Sequence, residues 1–249
     1  MSPAFKDHFS SVSSGYAAHR PTYPEELFSH LAGLTCTHDL ALDCATGNGQ
    51  AAIGLAAHYT QVIATDASAE QISAARFHAK IAYRVAPAEA SGLEDHCVDL
   101  VTAAQAAHWF DLPAFHAEVR RVLKPGGVVA LWCYERLSVE PASDAIIESF
   151  YNDLLGPYWP PERGYVERGY RDLPFQFDEL PAPALTMRAD WTLDQLLGYF
   201  STWSAVKRFR EATGTDPLPE LRTALAALPV WTGPALPIKW LLSMRIGHT

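Results

Sequence analysis

Residues 42–52 read LDCATGNGQAA: an apolar run ends in Asp43, turns on Gly47 and Gly49, and re-enters an alanine-rich stretch. Three readings compete for such a turn. It is a plain strand-to-helix connection, a nicotinamide-cofactor loop, or a loop that grips some other small molecule. Gly47 to Ala52 satisfies G-x-G-x-x-A, the dinucleotide-binding form, in which glycines permit a tight turn and close backbone approach. That match alone is weak, because glycines also serve turns that bind nothing. Its surroundings sharpen it. LALDC reads as a strand closed by Asp43, and QVIATD as a second strand closed by Asp66. The second acid falls about 20 residues past the loop, where a ribose-binding carboxylate belongs.

Working outward, residues 38 to about 135 alternate short β-rich runs with helical stretches. GQAAIGLAAHY predicts a helix. SAEQISAARFHAK predicts another, opened by Ser68 as N-cap with Gln71 three residues on, the capping-box pattern. IAYRV and VDLVTAA are the third and fourth strands. PAFHAEVRRVL is a helix with Phe115, Val119 and Val122 on one face; Lys124-Pro125-Gly126-Gly127 stops it, and GVVALWCYE is the fifth strand. Strand–helix–strand repetition with continuously apolar strands predicts a parallel sheet covered on both faces, and right-handed crossovers make it doubly wound. Ligands of such sheets lie beyond the carboxyl ends of the strands, at the topological switch point, where Thr46 to Gln50 belong.

Outside this core, residues 5–34 read as helical, with Pro24 in the first turn of EELFSHLAGL. Residues 141–175 are rich in Tyr, Trp, Pro and Gly. PALTMRADW reads as a strand, TLDQLLGYFSTWSAVKRF as a helix and PIKWLLSMRI as a closing strand. The expectation is a single domain over 1–249: a helical cover (1–37), a ligand-binding core (38–135), a lid or substrate insert (136–185) and a part completing the sheet (186–249).

Composition removes several function classes. The formal charge is −9 and no run of basic residues occurs, which argues against nucleic acid and anionic membrane surfaces. Cys36, Cys44, Cys97 and Cys133 form no CxxC pair and no zinc spacing, and the ten histidines are scattered, so no metal is expected. No formal charge falls between Cys44 and Thr65, yet Thr46, Asn48, Gln50, His58 and Gln61 interrupt that stretch, which is no membrane span. MSPAFKDHFSSVSSGY lacks the apolar run of a signal peptide. A reduced, cytoplasmic protein, monomeric or homodimeric, is expected.

Asp43 separates the cofactor readings. Nicotinamide loops run from apolar strand residues straight into glycine, whereas a cofactor carrying a cationic amine and a sulfonium is favoured by an acid at that point. LDCATGNG is similar to the D-x-G-x-G-x-G motif of class I S-adenosylmethionine-dependent methyltransferases. IATDAS resembles their second motif, VDLVTAAQAAHWFD the fourth, and RRVLKPGGVVAL the segment after it. GYAAHRPTYP and TLDQLLGYFSTWSAVKRF resemble the small-molecule branch that includes trans-aconitate methyltransferase. The resemblance implies a Rossmann-like, seven-stranded, mostly parallel sheet whose last strand is antiparallel.

It also implies S-adenosyl-L-methionine as cofactor and methyl transfer to a small organic molecule, with a carboxylate giving a methyl ester as the first reading. O-, N- or C-methylation of another metabolite stays open. So do two other classes, a nicotinamide oxidoreductase and a cofactor-binding protein without activity.

Candidate cofactor residues are Asp43, Ala45, Thr46, Gly47, Asn48, Gly49, Gln50, Asp66, Ala67, Ala88, Glu89 and Gln105. Ala45 stands where the family has its first glycine, so the loop is expected to turn without positive φ there. Pro87 stands where an acid meets the adenine amino group in many members, leaving the Ala88 backbone N–H and apolar walls for that task. His108, after the fourth strand, is a base for a hydroxyl or amine, a hydrogen-bond donor to a carboxylate, or a ring packed on Trp109.

Tyr16, His19, Arg20 and Tyr23 fall in the segment that the resemblance folds over the cofactor. Arg20 suits a bidentate grip on a carboxylate and an aromatic face suits a sulfonium, so His108, Arg20 and Tyr16 are the candidate catalytic residues. His19, Tyr23, Trp109, Trp203 and Ser204 are the candidate substrate contacts. Tyr158, Trp159, Arg163, Arg168 and Arg171 belong to the expected lid, whose charges read as surface ion pairs. Trp203, Val206 and Phe209 sit at helical spacing, which favours core packing.

Overall fold

The computed structural model describes residues 20–249. In chain order these form α1 (Glu25–Gly33), β1 (Leu40–Cys44), α2 (Gln50–Leu55), β2 (Gln61–Asp66), α3 (Ala69–Ser73), β3 (Ile81–Val85) and β4 (Val98–Ala104). They continue with α4 (Leu112–Val122), β5 (Leu123–Ser138), α5 (Pro141–Ser149), α6 (Arg163–Glu167), β6 (Asp178–Leu180), β7 (Leu185–Trp191), α7 (Leu193–Ser201), α8 (Ser204–Thr213), α9 (Leu218–Ala226) and β8 (Leu236–His248). One sheet runs β3-β2-β1-β4-β5-β8, with β6 and β7 both on the outer edge of β8. β1 to β5 are mutually parallel and β8 is antiparallel to β5, as expected.

The sheet has eight strands in place of seven for a local reason. β6 pairs the last residues of β8 and β7 its earlier ones, both antiparallel, and their registers differ by one residue across Pro181-Ala182-Pro183-Ala184. Proline lacks the ladder N–H, so the Pro-Ala-Pro-Ala run breaks one edge strand into two.

Both faces of the sheet are covered, and the strands show why. Along β5, Val128, Ala130, Trp132 and Tyr134 pack with α1, α2, α7 and α8, while Val129, Leu131 and Cys133 pack with α4 and Val166 of α6. Period-2 alternation between two apolar surfaces is what a central strand of a doubly wound sheet requires. Phe115, Val119 and Val122 are the buried face of α4, as their spacing predicts.

Four local expectations differ from the structure. Lys124 to Gly127 do not end the helix in a loop. They belong to β5 as an excursion in which Val98 pairs Leu123 but Leu100 pairs Val128, with Gly126 at φ +73°. Ser68 caps α3 through Gln71 N–H, but the helix stops at Ser73. The chain then turns back so that Arg76 N–H meets Asn48 O and Tyr83 hydroxyl meets Arg76 O.

Residues 192–209 are not one helix. The Thr192/Gln195 capping box opens α7, Thr202 Oγ1 bonds Tyr199 O at its end, and Trp203 is extended (ψ 134°) before α8 begins. The indole of Trp203 is thereby delivered among Phe150, Tyr151, Trp159, Tyr199 and Phe200, with ring centroids 4.6–6.4 Å away. Finally, Pro24 stands one residue outside α1, with ψ 147°, rather than in its first turn. The rest of the expected helix before residue 20 lies outside the described residues.

Candidate active site

The glycine loop leaves β1 at the switch point, since β2 lies on one side of β1 and β4 on the other. Asp43 is fully buried there. Its carboxylate accepts Thr46 Oγ1 at 2.6 Å and Thr102 Oγ1 at 2.7 Å. Burial pushes its pKa up to about 6 against those two bonds, and the nearby Asp66 charge adds to the rise. Asp66, at the end of β2, accepts Gly47 N–H and Ser68 N–H, each at 2.9 Å. The two acids therefore bracket the loop, one beneath it and one at its side.

Ala45 corrects the expectation for this turn. It adopts φ +52°, so the left-handed position is kept without glycine. The Cβ costs the loop about 1 kcal/mol in that conformation. Thr46 N–H to Thr65 O at 2.9 Å and Gly49 N–H to Thr46 O at 3.0 Å hold the turn in place. Gly47 (φ +57°) faces open space, where a Cβ would meet nothing nearer than Gln71 Oε1 at 3.9 Å. A concave, backbone-lined seat flanked by two carboxylates is the donor and acceptor set that a nucleoside with a cationic tail needs.

Around it, Gln50 Nε2 donates to Pro21 O at 2.7 Å, which ties residues 20–23 across the loop. Asn48 gives its carbonyl to Arg76. Ala86 N–H bonds Asp66 O at the end of β2, where Ala67 follows, and Ala88, two residues past Ala86, is buried. Glu89 accepts Asp111 N–H at 2.9 Å and so braces the entry to α4. Gln105 (φ +58°) spends its amide on β5, with Nε2 on Tyr134 O at 3.3 Å and Oε1 on Tyr134 N–H at 3.1 Å. It pins the ends of β4 and β5 together.

Beyond β4 a cavity gathers Arg20, Gln105, His108, Trp109, Trp203 and Ser204 from the sequence candidates. Its wall also includes Trp159, Pro160, Arg163, Tyr199 and Thr202. Tyr23 is not brought there; its ring packs edge-on against Trp132 at 5.6 Å and Phe28 at 6.4 Å. Tyr16 and His19 lie outside the described residues. The Arg20 guanidinium donates to the Tyr134 hydroxyl and lies 5.3 Å from the Tyr199 ring centroid.

His108 packs against Trp109, with centroids 4.8 Å apart and the rings tilted by 44°, and its Nδ1 is 2.8 Å from the Tyr170 hydroxyl. Burial, with the Arg163 charge, pushes its pKa down to about 3, so the ring is neutral at physiological pH. Burial also holds the Tyr170 phenol well above its usual pKa, so it stays protonated beside Nδ1. With the phenol as donor to Nδ1, the hydrogen of the neutral imidazole stands on Nε2.

Arg163, Tyr170, Tyr199 and Thr202 were not singled out as site residues by sequence. The only local signal was Pro160-Pro161 before Arg163, which fixes where α6 starts. Among the described residues no cluster of His, Cys, Asp and Glu suited to a metal occurs, and no helix is long and apolar enough to cross a membrane.

Comparison with known proteins places this architecture. A family model described as a methyltransferase domain matches residues 42–131, from the Asp43 strand to the middle of β5. A candidate methyltransferase of Dictyostelium discoideum is 36% identical over 226 residues, covering 89% of this chain and 86% of that protein. The solved structure of a candidate type II methyltransferase from Anaeromyxobacter dehalogenans is 46% identical and superposes with a TM-score of 0.86, over 92% of this chain and 97% of that one. A probable S-adenosylmethionine-dependent methyltransferase of Saccharomyces cerevisiae is 30% identical over 131 residues, about half of each chain (49% and 45%). With its doubly wound sheet, acid-bracketed glycine loop and these relatives, the chain belongs to the class I S-adenosylmethionine-dependent methyltransferases.

Proposed function

We propose that the methyl acceptor is the carboxylate of a small organic molecule and that the product is its methyl ester. The observation that carries this reading is the neutral His108 in a cavity whose wall, among the described residues, contains no carboxylate. An alcohol or ammonium acceptor must lose a proton, and an imidazole with a pKa near 3 is a poor receiver at neutral pH. A carboxylate arrives ionised and needs no base. His108 Nε2–H then serves as a hydrogen-bond donor that orients one carboxylate oxygen, with Tyr170 fixing the tautomer.

When bound, S-adenosylmethionine supplies an electrophilic methyl on a sulfonium. This chain's residues hold the cofactor in an order read along the sheet. Asp66 takes the ribose hydroxyls, and Ala67 with the Ala88 N–H and side chain borders the adenine. Thr46 to Gln50 with Asp43 seat the amino-acid end. Arg20, Trp109, Trp203 and Ser204 face the acceptor, and residues 136–185 form its cover within one domain. A cytoplasmic enzyme, monomeric or homodimeric, acting on a metabolite rather than a macromolecule, follows from the same reading.

The pH profile tests it. kcat should be level from about pH 6 to 9, because neither a carboxylate acceptor nor His108 changes its charge there. His108→Asn, which keeps a donor, should preserve that profile. A rate that rises tenfold per pH unit through this range, and loses the slope in His108→Asn, would overturn the reading in favour of a general base.

A further inference from the structure

Arg163 is the residue of the cavity with the least protein company for its charge. It opens α6, directly after Pro160-Pro161-Glu162, and lines two neighbouring cavities that share Arg163, Tyr199 and Trp203 as a wall. Its Nε donates to the Tyr151 hydroxyl at 2.8 Å. That phenol in turn donates to Glu167 Oε1 at 2.6 Å, so Glu167 reaches Arg163 only through a neutral group. The Trp159 ring centroid lies 5.0 Å from Arg163 Cζ and that of Tyr151 5.7 Å, which fixes the plane of the fork.

Among the described residues no carboxylate pairs with Arg163, and none accepts from its two terminal nitrogens. The other arginines of the lid are placed differently. Arg168 pairs with Asp172 at the surface, and Arg136 faces Glu148 at 3.6 Å across the neighbouring cavity. A deep guanidinium without a counter-charge is costly to a fold, which makes it a receptor for an anion delivered from outside. Its field is felt across the cavity, where it helps keep His108 uncharged. Trp109, Trp159 and Trp203 supply flat apolar walls around it.

Resting on the carboxylate reading above, we propose that Arg163 is the specificity-determining residue for the acceptor. It grips the carboxylate while the three tryptophans pack a flat apolar body, so the acceptor class is a small aryl carboxylate. One oxygen is held by the guanidinium fork and the other forms the new O–CH3 bond. The C–S bond breaks with its electron pair left on sulfur, and no proton is transferred. The neutral ester that results has lost its attraction to Arg163, which favours its departure.

The test uses the full-length protein saturated with S-adenosylhomocysteine. Its tryptophan fluorescence is titrated with benzoate, phenylacetate and cinnamate, and with phenylacetamide as the neutral isostere. Wild type should bind at least one of the carboxylates saturably, with the amide about tenfold weaker or worse. Arg163→Met should lose about 30-fold or more in carboxylate affinity, and Arg163→Lys, a point charge without the fork, should fall between. S-adenosylhomocysteine affinity should be unchanged in both, which reads out the fold. If Met disturbs α6 and that affinity falls, the Lys variant decides alone.

Carboxylate binding that is indifferent to both substitutions, an amide bound as tightly as the acid, or no aryl carboxylate bound by wild type overturns the proposal. Its failure is separable from that of the ester reading. Arg163-dependent binding without an ester product sinks only the ester, whereas an ester formed with an unaltered KM in both variants sinks only the role of Arg163.

Discussion

Asp43→Asn should give a ligand-free protein that is more stable at pH 7.5 than the wild type and almost unable to hold its cofactor. The carboxyl of Asp43 titrates near 6 in the folded chain against 3.8 in the open one, because burial penalises the anion more than Thr46 and Thr102 repay. A raised acid pKa means that the native state binds the proton more tightly. The contribution of Asp43 to stability is therefore greatest below about pH 4, declines as the pH rises towards 6, and is level above that, with about 3 kcal/mol forgone.

Asparagine keeps the shape and removes the charge. Its oxygen accepts Thr46 Oγ1, and its amide can donate to Thr102 Oγ1, whose own proton has Leu42 O within 3.4 Å as an alternative acceptor. We expect a melting temperature roughly 5 °C higher at pH 7.5, and a variant-minus-wild-type difference that shrinks as the pH falls from 6 to 4, read by thermal unfolding across pH. Affinity for S-adenosylmethionine should fall 100-fold or more by calorimetry, since the cationic end of the cofactor loses its buried counter-charge. Unchanged affinity would remove Asp43 from the site, and a difference that does not vary with pH would remove its strain from the fold. Stability withheld by one buried acid is the mark of a residue kept for binding.

The second large effect concerns Gly49→Ala. Gly49 sits at φ +87°, and an added Cβ would lie 2.2 Å from the Tyr83 hydroxyl and 3.0 Å from its ring. Tyr83 can retreat only by giving up its bond to Arg76 O, which helps hold the turn after α3 against Asn48. Left-handed strain and overpacking together should cost about 2–4 kcal/mol, seen as a melting temperature lower by roughly 5–10 °C, with cofactor affinity down tenfold or more. Gly47→Ala, with similar φ but open space, should cost only about 1 kcal/mol. Adding Tyr83→Ala to Gly49→Ala should recover the steric part and leave the backbone part. Equal melting temperatures for the two single alanine variants would show that the contact with Tyr83 carries no weight.

The cofactor half of the site was legible because it is local. Asp43, the glycines and Asp66 lie within one βαβ unit, where spacing along the chain fixes spacing in space. Ala45 was misjudged for the opposite reason, since the surrounding ladder imposes its positive φ whatever the residue prefers. The acceptor half comes from four separate stretches: Arg20, the turn after β4, the segment around Arg163, and the break between α7 and α8. Nothing in the sequence announced that break, because Thr202 and Trp203 continue a helical pattern and only the aromatic cluster pulls the indole out of it. Arg163 read as one more surface charge beside Arg168 and Arg171. Only the packing of Tyr151 and Trp159 around it distinguishes it from them. His108 was legible as a residue but not as a tautomer, which depends on Tyr170, 62 positions further along the chain.

The bond that is made decides which reaction this site performs. The protein, S-adenosylmethionine labelled in the methyl group, and a mixture of small aryl carboxylates should yield labelled product, and mild alkali should release that label quantitatively as methanol, the signature of a methyl ester. Label that stays bound through alkali, as in an ether, an amine or a carbon-linked methyl, would contradict it.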